Sequence, residues 1–182
     1  ISGSSCGAEK AGIVAAASPR LASGRISATV RRMILREPKV SELRKLSGLC
    51  QRSKAHWNYP PDMMKAFRRE LTIRKADLDE DTIMLAEDKR GIAGIVQLSK
   101  AGEDAVLEKL FVDPHRLGEG TGKLLYVWAC RVARDNGARN LLIDSDPDAS
   151  AFYEHMGAVR QGTAESASIP GRQLPHLVHP LG

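Results

Sequence analysis

Between an apolar run ending at Val112 and a helical stretch beginning near Lys123 lies Pro114-His115-Arg116-Leu117-Gly118-Glu119-Gly120-Thr121-Gly122. Three alternating glycines at a helix start leave backbone N–H groups unshielded, and the helix end adds partial positive charge. That combination suits a diphosphate, and Lys123 adds a cation. Three diphosphate-binding loops compete with a turn that binds nothing. A P-loop needs GxxxxGK followed by Ser or Thr. Here Leu117 stands at its first glycine, and Leu124 removes the hydroxyl. A dinucleotide fingerprint needs GxGxxG in a doubly wound domain. Here the spacing is GxGxG, and it falls in the second half of the chain. The third is the coenzyme A pyrophosphate loop.

Other residues with chemical potential are scattered. Glu108 lies inside an apolar strand, on the side of Val106, Leu110 and Val112 if the two-residue period holds. Burial there would raise its pKa toward neutrality and suit a general base; a structural partner on a neighbouring strand is the competing role. Cys6, Cys50 and Cys130 are far apart and form no CxxC pair, which signals neither zinc nor a disulfide framework. No Cys–His nucleophile pattern occurs. His56, His115, His155, His176 and His179 have no metal-ligand spacing, so no metal is expected. The segment Ser53-Lys54-Ala55-His56-Trp57-Asn58-Tyr59 gathers a His and two aromatics, and Arg172 sits beside a Pro170-Gly171 turn.

These residues need elements to position them. Val30 to Leu35 reads as an edge strand ending before Pro38. Ser41 caps a helix running to about Cys50, with Leu43, Leu46 and Leu49 along one side. Gln51 to Tyr59 reads as loop. A second helix starts at Asp62, with Met63, Met64, Phe67 and Leu71 as its stripe. Thr82 to Ala86 and Ile92 to Leu98 are strands around a turn at Asp88-Lys89-Arg90-Gly91. Ala105 to Val112 is a third strand, stopped by Pro114. A helix follows over Lys123 to Asn136, apolar over most of its surface and ended by Gly137. Leu141 to Asp144 is a short buried strand, Ala149 to Met156 a short helix, and Ala158 to Thr163 with Leu174 to Val178 a terminal pair of strands. The unit from 105 to 144 should be a right-handed parallel crossover, and the strands before it antiparallel. The class is α+β, with three layers around a mixed central sheet of about six to seven strands and about four helices.

With 182 residues and 42% hydrophobic content, the chain suits one domain with a substantial core. Its formal charge of +5 is local. Residues 1–36 carry Lys10, Arg20, Arg25, Arg31, Arg32 and Arg36 against Glu9, whereas residues 37–182 balance at zero. The folded part has no basic excess, so no nucleic-acid partner is expected. No run of 18 apolar residues occurs, so no membrane partner is expected either. Residues 1–29 are read as a disordered segment and residues 30–182 as the domain. The cysteine pattern fits a reducing, cytoplasmic setting. The Ala/Ser/Gly-rich composition of residues 1–29 keeps organelle targeting open.

From about Arg31 to Leu181 the chain resembles the GNAT superfamily of N-acetyltransferases. Leu107-Glu108-Lys109-Leu110-Phe111-Val112-Asp113-Pro114 joined to Gly118-Glu119-Gly120-Thr121-Gly122 carries the resemblance. Ala149-Ser150-Ala151-Phe152-Tyr153-Glu154-His155-Met156-Gly157-Ala158 is similar to the family's A-x-x-F-Y-E-x-x-G-F. Two departures stand out. Leu117 replaces the usual Gln or Arg, with Arg116 one place early. Asp146 replaces the usual Asn; followed by Pro147, it reads best as a helix N-cap.

The resemblance implies acetyl-CoA as cosubstrate, lying between the strand ending at Val112 and the strand Leu141 to Asp144. Pantetheine would meet the backbone at Phe111 and Val112, and pyrophosphate would meet Leu117 to Lys123. Asp146 and Tyr153 would line the cofactor arm. Tyr153 is the implied acid for the leaving thiolate, the Val112 N–H the implied oxyanion donor, and Glu108 the candidate base. The implied reaction is direct transfer of acetyl to a primary amine of a small molecule or peptide, in a ternary complex. Lys54, His56, Trp57, Tyr59 and Arg172 are the candidate acceptor-site residues, with Arg172 suited to a carboxylate. Homodimers are common in the family. Two other classes compete: a non-catalytic acyl-CoA-binding module, and a nucleotide-dependent oxidoreductase using the glycine loop.

Overall fold

Alternating and continuous apolar runs build the centre of the molecule. A computed structural model describes residues 33–182. Its strands are β1 (Ile34–Arg36), β2 (Thr82–Asp88), β3 (Gly91–Ala101), β4 (Asp104–Val112), β5 (Asn140–Asp144), β6 (Val159–Glu165) and β7 (Gln173–Pro180). Its α-helices are α1 (Leu43–Ala55), α2 (Pro61–Phe67), α3 (Lys75–Glu80), α4 (Thr121–Asp135) and α5 (Ser150–His155). The strands form one mixed sheet in the order β1-β2-β3-β4-β5-β7-β6. β1 to β4 pair antiparallel, and β4 pairs parallel with β5 through the α4 crossover. This is the α+β class read from the sequence. Val30 to Arg32 of the expected edge strand, and the whole of residues 1–29, lie outside the described residues.

Each face of the sheet carries its own core. Leu125, Tyr126 and Ala129 of α4 pack with Phe152 and Tyr153 of α5 against Leu107, Leu110, Leu141 and Leu177. Leu46, Leu49 and Cys50 of α1 pack with Phe67 of α2 against Leu85, Ile95 and Phe111 on the other face. β3 is covered on both sides, which is why Ile92 to Leu98 is buried without interruption.

Two local expectations are corrected. Ser41 does not cap α1, because it lies within a 3-10 turn over Val40–Glu42 that precedes the helix. α1 also runs past Cys50 to Ala55, so half of the expected loop is helix. Its buried face continues through Ser53 and Lys54 at helical spacing, and the charge of Lys54 disguises that face in the sequence. The short helix α3 was not anticipated. Its residues are all at least partly exposed, so no apolar stripe announces it.

β4 contains the irregularity that matters most. Gln97 opposes Lys109 while Leu98 opposes Leu107, so Glu108 is an extra residue in β4, a β-bulge. The bulge breaks the two-residue period. Leu107 and Leu110 therefore both enter the α4 and α5 core, and Glu108 does not share a side with Leu110 as a regular strand would require.

α4 lies close against β3 because position 94 is glycine. A Cβ there would sit 2.8 Å from the Phe111 carbonyl oxygen and 2.9 Å from Leu125 Cδ1. Gly94→Ala is therefore expected to cost about 1–3 kcal/mol, read as a lowered urea midpoint with unchanged m-value.

Candidate active site

β4 and β5 pair only at Ala105–Leu141 and Val106–Leu142. Beyond that point they separate, and the β5 side of Leu107 to Val112 has no strand partner. The Asp113 amide donates to the Ala93 carbonyl at 2.8 Å, so Gly94 and Val112 form a non-hydrogen-bonded pair. The Val112 N–H therefore turns into the gap. The backbone groups of Phe111 turn the other way, toward β3, and its ring is buried against α1 and α2. Of the two strand residues expected at the gap, Val112 has the suitable direction.

The glycine loop stands at the open end of this gap. Gly118 (φ 80°) and Gly120 (φ 83°) adopt left-handed conformations that glycine tolerates without a Cβ penalty. Leu124 N–H is the first to reach a helical carbonyl, Gly120 O at 3.0 Å. The amides of Thr121, Gly122 and Lys123 thus occupy the open first turn of α4. Thr121 Oγ1 is buried there without a hydrogen-bond partner.

The loop is tethered from behind. Arg116 is buried and donates to Asp88 Oδ2 at 2.6 Å and to Glu119 Oε2 at 3.0 Å. Arg90 donates to the Glu119 carboxylate at 2.5 and 3.1 Å. The two guanidiniums hold the Glu119 carboxyl below its ordinary range, with Arg90 the larger influence. They also turn its charge toward the β2–β3 turn and away from the first turn of α4. Arg116 is therefore a pin for the loop.

A buried cluster of charges closes the mouth of the gap. Asp146, two residues beyond β5, is fully buried and accepts three side-chain hydrogen bonds. Lys54 Nζ donates to Oδ2 at 2.6 Å; Tyr59 OH and Arg172 Nη2 donate to Oδ1 at 2.9 and 3.0 Å. Arg172 Nη2 also donates to Tyr59 OH at 2.9 Å. Lys54 Nζ lies 4.3 Å from the centroid of the Phe67 ring, over its face. Burial pushes the Lys54 ammonium below its ordinary pKa, and Asp146 opposes that shift. Burial, then the Asp146 charge, raises the Tyr59 phenol. Ser168 donates to Glu70 Oε2 at the edge of the cluster.

Tyr153 approaches the mouth from α5. Its side chain is fully buried, packed 5.5 Å from the Tyr126 ring and 5.1 Å from the Phe152 ring, centroid to centroid. Its hydroxyl has no hydrogen-bond partner. Burial raises its pKa well above that of an ordinary phenol, and the neighbouring Tyr126 phenol and Asp146 carboxylate add to this. The group stays protonated. Both described cysteines are poor nucleophiles. Burial pushes Cys50 up to about 12 and Cys130 up to about 11.

A sequence model of the acetyltransferase (GNAT) family matches residues 43–158, which takes in the glycine loop, β4, β5 and Tyr153. The chain belongs to the GNAT family of acetyltransferases. A glucosamine 6-phosphate N-acetyltransferase from Trypanosoma brucei brucei is 35% identical over 51 residues, 28% of this chain and 35% of that protein. The fold is similar to that of the PaiA N-acetyltransferase from Thermoplasma acidophilum in complex with coenzyme A. The TM-score is 0.69 at 15% identity, over 82% of this chain and 99% of that one. It is also similar to a GCN5-related N-acetyltransferase from Rhodopseudomonas palustris, with TM-score 0.68 at 17% identity, over 86% and 99% of the two chains.

The sequence-predicted residues divide as follows in this GNAT chain. Lys54, Tyr59 and Arg172 come together, and Asp146 joins them rather than capping a helix. Asp146 does hold the N-cap position, but its side chain makes no capping bond, because both its oxygens are turned to Lys54, Tyr59 and Arg172. Trp57 packs against the α1 and α2 core, and His56 is exposed and rests edge-on against it. Glu108 accepts from Ser99 on β3 at 2.5 Å, on the side of β4 away from the gap. Glu70 was missed, and its pairing with Ser168, which lies in the same stretch as Arg172, was not foreseen. Glu70 follows Arg68 and Arg69 just past a short helix and reads as a solvated charge, and only tertiary folding brings Ser168 to it.

Proposed function

We propose that this chain moves an acetyl group from acetyl-CoA to a primary amine by direct transfer in a ternary complex. One observation carries the reading: the Tyr153 hydroxyl is buried, unpartnered and held neutral in the core that also takes Leu107 and Leu110 of β4. Acetyl-CoA supplies the activated acyl group, and the chain supplies position and protons. The amides of Gly118 to Lys123 hold the pyrophosphate at the α4 N-terminus, with Lys123 exposed beside it. Leu117 lends backbone rather than charge. The gap-facing backbone of β4 offers its hydrogen bonds as it would to another strand. The Val112 N–H points to where negative charge develops on the acetyl oxygen. Tyr153 protonates the leaving sulfur. The amine enters at the mouth, between the α1–α2 link with Tyr59 and the β6–β7 connection with Arg172. The inert pKa values of Cys50 and Cys130 favour direct transfer over an acyl-enzyme.

A thermal-shift titration with acetyl-CoA, CoA and NAD tests the cofactor site, since a ligand of the native state alone raises the midpoint. Both CoA species should raise it and NAD should not; silence toward both CoA species would overturn the reading. The tether makes a sharper prediction. Arg116→Met should raise the KM for acetyl-CoA about tenfold with a smaller change in kcat, because the loop amides lose their fixed direction. An unchanged KM would show that the loop needs no pin.

A further inference from the structure

The charge cluster at the mouth is incomplete in a specific way. Lys54 and Tyr59 each donate to Asp146, and Arg172 Nη2 is shared between Tyr59 and Asp146. Two buried atoms are left over. Arg172 Nη1 donates to nothing, and Glu70 Oε1 accepts from nothing. Both belong to groups whose other atoms are fixed. The Arg172 guanidinium lies 5.2 Å from the ring centroids of Tyr59 and Phe67, and Glu70 Oε2 takes the Ser168 hydroxyl. The orphans are therefore held in place. One is a cationic donor and the other an anionic acceptor. The surrounding formal charges, Lys54 and Arg172 against Asp146 and Glu70, sum to zero.

A ligand that satisfies both orphans has a cationic donor and an anionic oxygen in one small molecule. A plain amine leaves the Arg172 N–H unpaired, and an acid without an amine places its charge against Glu70. Unpaired buried groups carry a large penalty, so such a site discriminates strongly. Resting on the acetyl-transfer reading above, we propose that the acceptor is a zwitterion: an amine close to an acid group, whose ammonium donates to Glu70 Oε1 and whose anionic oxygen accepts from Arg172 Nη1.

Glu70 then also serves as proton acceptor. The ammonium gives one proton to Glu70, which passes it to solvent. The freed nitrogen bonds to the acetyl carbon as the carbon–sulfur bond breaks. The nitrogen loses its second proton to solvent as the amide forms. The sulfur takes a proton from Tyr153, which solvent restores. Burial raises the Glu70 carboxyl above its ordinary pKa; the Ser168 hydroxyl and the Lys54 charge oppose this, Asp146 adds to it, and Arg172 opposes it. A carboxylate in that position accepts protons more readily than an exposed one.

The test compares matched acceptors on the parent enzyme, followed by thiol release. One arm sets leucine against isoamylamine and phenylalanine against phenethylamine. The other sets glucosamine 6-phosphate against glucosamine. A preference of about tenfold or more in kcat/KM for the acid-bearing member of either arm is expected, and the arm tells carboxylate from phosphate. Arg172→Gln should raise KM for that member by about tenfold more than for its acid-free partner, because only the former loses an ionic contact while both feel the loss of the Asp146 and Tyr59 bonds. Glu70→Gln should lower kcat for both and remove the acid limb of the kcat/KM profile. Equal turnover of both members in both arms would overturn the proposal, as would an Arg172→Gln effect that is the same on both. A parent enzyme with no response to CoA would instead overturn the acetyl-transfer reading and this inference with it.

Discussion

Tyr153→Phe should lower kcat by about 10²–10⁴-fold while leaving stability unchanged or slightly improved. The combination is unusual for a fully buried tyrosine. Removing a hydroxyl from a core normally breaks a hydrogen bond. Here the hydroxyl has none, so the fold loses nothing and a buried unsatisfied group disappears. The ring keeps its packing against Tyr126 and Phe152. Affinity for CoA should change little, since pyrophosphate binding lies with the loop amides. Urea denaturation and steady-state kinetics on the same preparation check both halves. A Phe variant that loses stability but keeps its kcat would assign the hydroxyl a structural partner and remove the acid from the mechanism.

Asp146→Ala should be the most destabilising single change at the mouth, at about 3–5 kcal/mol. Asp146 balances two buried cations. Its loss leaves the Lys54 ammonium fully buried over the Phe67 and Tyr59 rings, and leaves Arg172 without a carboxylate. The reverse deletion is milder. Lys54→Met puts an apolar chain of similar length in the same place, and Asp146 keeps Tyr59 and Arg172, so about 1–2 kcal/mol is expected. The pH dependence has a definite sign. The folded-state pKa of Lys54 lies below its ordinary 10.5, so the unfolded chain binds more protons there, and this group's contribution to stability rises as pH climbs toward 10.5. Without Asp146 the depression deepens, and the deficit of the variant should shrink as pH rises. Urea midpoints of both variants at neutral and alkaline pH measure this.

The central strands and the glycine loop were legible because each leaves a local trace, whereas the insertion of β7 between β5 and β6 was not foreseen. Strand runs such as Ile92 to Leu98 show in hydrophobicity, and Gly118 and Gly120 mark left-handed turns that few other residues tolerate. The bulge at Glu108 leaves no such trace. A single extra residue shifts every later side chain to the other face, so the period-two reading placed Glu108 and Leu110 together when the sheet separates them. Asp146 was misread for a different reason. An Asp before Pro is a good local cap, and the local preference was overridden by Lys54, 92 positions away, and Tyr59, 87 positions away. Glu70 and Ser168 lie 98 positions apart and gain meaning only where the α1–α2 side meets the β6–β7 connection. The glycine loop is thus written in a contiguous motif, while the charge cluster at the mouth is assembled from residues far apart in the chain.

Acetyl transfer itself is tested most directly by incubating the full chain with acetyl-CoA and an amine panel, measuring free thiol and acetylated amine together. Equal amounts of both products are expected for at least one amine, with neither formed above background when the amine or the protein is left out. Binding of CoA with no amide from any amine would contradict acetyl transfer, and would make the chain a non-catalytic acyl-CoA-binding module.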